Sequence, residues 1–216
     1  MIDEDICTSK SSKVLLVEGR KDCRVIFALQ ERHNITDYFG IHQCNGEDGV
    51  LKRFNALIPA PPESERPAVI GVVLDADTGS IEDRWRQFHS KLDKYGYKLP
   101  SGPDLDGTII DKVDEYPRVG LWLMPDNKTT GMLEDFLLKM VNPAGVEAAK
   151  QAVDLARTQG IATFRSPHYS KSIIHTFLAW QDEPGYPLGL AVTAKILNAE
   201  GETSNLFVSW LRKLFA

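Results

Sequence analysis

The chain has 216 residues, of which 43% are hydrophobic and 25% charged, enough to bury a sizeable core as one domain or as one domain with an extension. No apolar run reaches the roughly 20 residues of a membrane-spanning helix. The acidic start Met1 to Asp5 lacks the basic and apolar regions of a signal peptide, so the expectation is a cytoplasmic protein with no membrane partner. A formal net charge of -5 argues against binding nucleic acid by broad cationic attraction. It leaves open a protein whose carboxylates gather around divalent cations, because bound ions reverse the local field.

After a polar lead expected to be flexible over residues 1–12, Val14-Leu15-Leu16-Val17 reads as a strand buried on both faces and broken by Glu18-Gly19. Val25, Ile26 and Leu29 recur at helical spacing between Lys21 and His33, and Ile41 to Cys44 is a short strand stopped by Asn45-Gly46. Val50, Leu51, Phe54, Leu57 and Ile58 mark a second helix, which ends in a Pro-rich loop from Pro59 to Pro67. Ala68 to Leu74 is a third strand, stopped by Asp75-Ala76-Asp77-Thr78-Gly79 ahead of a helix carrying Ile81, Trp85, Phe88, Leu92 and Tyr95 on one face.

An irregular Gly/Pro/Asp-rich segment from Gly96 to about Pro117 separates that helix from a fourth strand, Val119 to Met124. Pro125-Asp126-Asn127 and a helix near Met132 to Met140 follow. Strands alternating with helices predict an α/β core of about four mainly parallel strands over residues 13–140. Residues 141–216 read as a helical extension packed on it, with helices near Ala144 to Thr158, Ser170 to Gln181, Leu188 to Asn198 and Ser204 to Phe215. Trp122, Trp180, Trp210, Phe207, Leu211 and Phe215 read as packing residues. Cys7, Cys23 and Cys44 are odd in number and form no CxxC pair, which favours reduced thiols over a disulfide framework or a zinc knuckle.

In open parallel sheets the loops and helix N-termini at the carboxyl ends of the strands converge on one crevice. Glu18 follows the first strand, Asp75 and Asp77 the third, and Asp126 the fourth, so carboxylates from three strands point to one edge. Asp22, one turn after Glu18, faces the same crevice or serves only as a first-turn acid that favours the helix dipole. An Asp-x-Asp pair alone more often caps a turn. Joined to Glu18, it indicates oxygen ligation of Mg²⁺ or Mn²⁺, which relieves the mutual repulsion. Arg20, Lys21 and Arg24, with Lys10 and Lys13, suit phosphates or simply a solvated helix face. His42, His89, His168 and His175 show no metal-binding spacing, and neither a P-loop nor a dinucleotide fingerprint occurs.

VLLVEGRKD at Val14 to Asp22 and VVLDADTG at Val72 to Gly79 resemble, in order and with a strand-helix unit between them, the two motifs of the toprim domain shared by topoisomerases, primases and OLD-family nucleases. Met124-Pro125-Asp126-Asn127, Gly131-Met132-Leu133-Glu134-Asp135-Phe136 and KSIIHTFLAWQDEPG from Lys171 extend the resemblance, more loosely, to stand-alone prokaryotic toprim-like domains akin to the nuclease half of OLD proteins. The resemblance implies a Rossmannoid fold and a metal-dependent nuclease acting on DNA or RNA. Glu18, Asp75 and Asp77 would hold one divalent ion, and Asp22 with Glu134 or Asp135 would help to hold a second. Lys171 would steady charge on the phosphate. It also implies a separate ABC-type ATPase partner in phage defence, since no ATPase motif is present here. For Glu134, Asp135 and Lys171 the residues alone read equally as solvated helix positions. No DNA-cleaving tyrosine domain is recognisable, which sets topoisomerase activity aside. The rival reading is a non-catalytic toprim-like binding or regulatory module in a larger nucleic-acid-processing complex. A phosphatase is disfavoured, because the position directly after the first strand is Glu18 rather than a nucleophilic Asp.

Overall fold

The computed structural model describes residues 6–7, 11–59, 66–77 and 79–216. Lys10, Thr78, the Met1 to Asp5 start and most of the Pro-rich loop lie outside the described residues. Five strands form one sheet in the order β2-β1-β3-β5-β4: β1 Lys13–Val17, β2 Gly40–Gln43, β3 Val69–Asp75, β4 Thr108–Ile110 and β5 Arg118–Met124. All neighbours are parallel except β4, which pairs antiparallel with β5 through Ile109↔Gly120. The fold is therefore α/β with a mostly parallel sheet, as the alternating pattern predicts.

The fifth strand is the departure. It spans only three residues inside the Gly/Pro/Asp-rich segment, too short for period-two alternation to register. Its place is fixed from outside: Trp210 donates its indole N–H to the Thr108 carbonyl at 3.3 Å.

Continuous apolar strands are buried on both faces because helices cover both. Leu15, Val17, Val69, Val73, Trp122 and Met124 enter one core, and Val14, Leu16, Ile70, Val72, Leu121 and Leu123 the other, which is the period-two alternation of the pleat. Helices α2 (Glu47–Leu57) and α3 (Ile81–Leu92) supply Phe54, Trp85 and Phe88 to the second core. Helix α1 (Arg20–Arg32) shares the first core with α4 (Leu133–Leu138), α5 (Pro143–Thr158), α6 (Tyr169–Leu178), α7 (Leu188–Thr193) and α8 (Glu202–Phe215). The C-terminal helices are thus part of the main hydrophobic core. Helix α8 lies so close to the sheet that a Cβ at Gly120 would stand 2.3 Å from a Leu214 methyl carbon.

Two expectations are corrected. Cys7 and Cys23 form a disulfide, leaving Cys44 free. Spacing could not reveal the pair, because what permits it is a 5.8 Å Cα separation between Cys7 and Cys23 of α1. Where it is described, the lead is anchored: Cys7 is fully buried and its carbonyl accepts from Gln43 N–H at the β2 edge. Trp180 is not a packing residue. It lies beyond the end of α6 with half of its surface exposed, whereas Trp122 and Trp210 are fully buried.

Candidate functional site

The carboxyl ends of β1 and β3 set Glu18 beside Asp75: the Asp75 backbone N–H donates to Glu18 Oε1 at 2.8 Å. Asp75 Oδ1 in turn accepts from Leu133 N–H, the first residue of α4, at 2.9 Å. Helix α4 is thereby docked on the end of β3, and it brings buried Glu134 to the same place. Asp22 is buried in the first turn of α1, where its Oδ2 accepts from Gly19 N–H at 3.0 Å. Capping does not take it out of the cluster, because its charge is felt at both Glu18 and Asp75.

Electrostatics show which groups face one another. Burial pushes the Asp75 carboxyl up to about 9, and the charges of Asp22, Glu18, Asp77 and Glu134 add to the rise. Glu18 is pushed up to about 7, first by burial and then by Asp22, Asp77 and Glu47, against the opposing hydrogen bond from Asp75. Asp22 rises to about 6 through burial and Glu134, opposed by backbone hydrogen bonds and Lys21. Five of the sequence-predicted acids, Glu18, Asp22, Asp75, Asp77 and Glu134, are therefore close enough at the sheet edge to feel one another's charge.

Asp126 and Asp135 play local parts. Asp126 Oδ1 accepts from the Thr129 N–H at 2.7 Å and its hydroxyl at 2.9 Å, while Oδ2 pairs with Lys139 at 3.1 Å. Its turn is further fixed by buried Asn127, whose Oδ1 accepts from Leu123 N–H at 2.7 Å. Asp135 caps α4 by accepting from Met132 N–H at 2.9 Å, and it accepts from the Ser170 hydroxyl at 2.5 Å. That cap requires Gly131, since a Cβ there would stand 2.8 Å from Asp135 Oδ2 and the backbone has φ +150°.

Among the basic residues, Lys171 of α6 reaches Glu134 at 3.8 Å. Exposed Lys21 stands near both: burial and Lys171 lower its pKa while Glu134 opposes. His175, one turn after Lys171, has its pKa lowered by burial and by Lys21. Arg20 is exposed at the start of α1. Arg24 turns elsewhere, lining a hollow of about 380 Å³ with Phe27, Glu31 and Leu190 between α1 and α7.

Two neighbours of the cluster escaped the sequence reading. Glu47 opens α2 directly after Asn45-Gly46, so the strand-end rule already pointed to it. Arg84, in the first turn of α3, carried no signal. Its guanidinium pairs with Asp77 Oδ2 at 2.9 Å and with Glu47.

The donor set is all oxygen, which suits Mg²⁺ or Mn²⁺, and the crowded buried carboxyls call for protons or a cation. As they stand, however, no three His, Cys, Asp or Glu side chains among the described residues converge closely enough to hold one ion. Residues 12–216 match the family model described as "Protein of unknown function (DUF3226)". The chain belongs to the DUF3226 family. No curated protein and no solved structure matches this DUF3226 chain, so its chemistry rests on the geometry above. The matched span takes in both strand-end motifs and every C-terminal helix.

Proposed function

We propose that this DUF3226 chain is a metal-dependent nuclease that hydrolyses phosphodiester bonds of DNA or RNA at the edge formed by β1, β3 and α4. The observation that carries the reading is the meeting of two strand-end carboxylates, with the Asp75 N–H donating to Glu18 Oε1 at 2.8 Å and the charges of Asp22, Asp77 and Glu134 also acting on Asp75. A half-buried, all-oxygen group of five suits a divalent cation, with Glu18, Asp75 and Asp77 as its holders. Such an ion supplies charge neutralisation to the phosphoryl centre.

The chain's own cationic side fits the same substrate. Lys171 lies 3.8 Å from Glu134 with Lys21 near it, and an ammonium there would stabilise charge developing on the non-bridging oxygens of a phosphate. Arg20 extends this side along α1 toward the neighbouring backbone. A toprim-like activity of this kind would work with an ATPase in another chain, in the cytoplasm, as phage defence in OLD-like systems implies.

The test is to incubate the protein and its Glu18→Ala and Asp75→Ala variants with supercoiled plasmid, linear DNA and structured RNA in Mg²⁺, Mn²⁺ or chelator. Metal-dependent cleavage by the wild type that both variants lose is the expected result, and the substrate cleaved settles DNA against RNA. No cleavage of any substrate would instead favour the non-catalytic binding module.

A further inference from the structure

Arg84 stands out once the acids are mapped. Its side chain is only 13% exposed, yet it belongs to neither hydrophobic core, and both arms of its fork end on carboxylates that face Glu18. One arm crosses to Glu47 at the start of α2, after β2, and the other reaches Asp77 in the loop after β3. The Asp77 backbone is held independently in the left-handed region at φ +53°, with its N–H donating to Gly131 O at 2.8 Å. Its carboxylate Oδ2 meets the guanidinium at 2.9 Å, a planar fork suited to holding two carboxylates at once.

The donors have the chemistry for a divalent ion, yet no three of them converge among the described residues, and an oxygen of Asp77 is committed to Arg84. We propose that Arg84 is the resident counter-cation of the carboxylate edge, competing with a divalent ion for Asp77 and so setting the ion concentration at which the site fills. The proposal rests on the metal-dependent reading above. Binding of the ion exchanges one cation for another at Asp77, and by linkage anything that draws Arg84 away tightens the ion.

Mn²⁺ titration by calorimetry and electron paramagnetic resonance tests it in wild type, Arg84→Gln, Arg84→Lys and Asp75→Asn, with circular dichroism to verify folding. Arg84→Gln is expected to bind Mn²⁺ about tenfold more tightly than wild type. Arg84→Lys, which keeps the charge and loses the fork, should fall between them and guards against a Gln variant that fails to fold. Asp75→Asn should remove the binding. Unchanged or weaker Mn²⁺ affinity in both Arg84 variants overturns the competition and makes Arg84 a scaffold for Asp77, while leaving the metal-dependent reading intact. Absence of Mn²⁺ binding in wild type and both Arg84 variants overturns the two together.

Discussion

Asp75 is where the physics of the molecule is least comfortable. Its folded value of about 9 lies far above the usual carboxylate value of 3.8, chiefly from burial, so the folded state binds a proton that the unfolded chain has already released across the interval between them. The unfolded chain binds fewer protons there, and stability falls as pH rises. Glu18 acts in the same sense up to about 7 and Asp22 up to about 6. Metal-free protein should therefore melt at a higher temperature at pH 6 than at pH 9, and thermal scans with chelator should show the slope flattened in Asp75→Asn. That variant keeps an oxygen for the Leu133 N–H and loses the repulsion, so at pH 8 it should gain roughly 2–4 °C per kcal/mol of relief. Because protons and a divalent ion compete for the same oxygens, apparent Mn²⁺ affinity should rise between pH 6 and pH 9. A pH-independent affinity would mean that the ion binds elsewhere.

At the scale of elements, the site depends on helices docked by backbone hydrogen bonds to acids. Helix α4 is tied to β3 through Leu133 N–H and Asp75, and is capped by Asp135 against Gly131. Helix α8 is set by the absence of side chains at Gly120 and Gly71, where Leu214 approaches the sheet. Gly120→Ala forces a Cβ into three carbons of Leu214 at 2.3 to 3.0 Å, and such overpacking costs about 1–3 kcal/mol. Urea unfolding should show that loss with little change in slope, and Leu214→Ala in the same background should recover part of it. The strands and helices that build the edge were legible in sequence because each is either a continuous apolar run or a strong helical stripe. Glu18, Asp75 and Asp77 were legible because strand ends carry the crevice. Arg84 was not, since an arginine in the first turn of an amphipathic helix looks the same whether it meets water or two carboxylates. For Asp126 and Asp135, proximity in sequence to strand and helix ends does not show the partners their carboxylates take, Thr129 and Lys139 for the first and Met132 and Ser170 for the second.

For the whole molecule, the helical C-terminal part and the sheet share one core, so removing the helices would strip the first face of the sheet. Among the described residues, no helix is long and apolar enough to cross a membrane. The Cys7–Cys23 bond closes a loop of 16 residues in sequence separation, and cross-links of that span contribute about 2–4 kcal/mol, mainly by restricting the unfolded chain. Cys7→Ser should lower stability by that order in denaturant unfolding under oxidising conditions, and the difference should shrink to the smaller cost of a buried hydroxyl once wild type is reduced. Neither this bond nor the β4 strand was readable in sequence, because both depend on tertiary neighbours: α1 for the cysteine pair, Trp210 for the strand.

The most direct test of the account is a time course of supercoiled plasmid or structured RNA cleavage in Mg²⁺ by wild type and Glu18→Gln, a change that keeps the size of the side chain and an oxygen for the Asp75 N–H. Metal-dependent cleavage is expected, falling by at least about 100-fold in the variant, a loss on the order of 3 kcal/mol of transition-state stabilisation. Equal rates for the two proteins, or cleavage that persists in chelator, would contradict it.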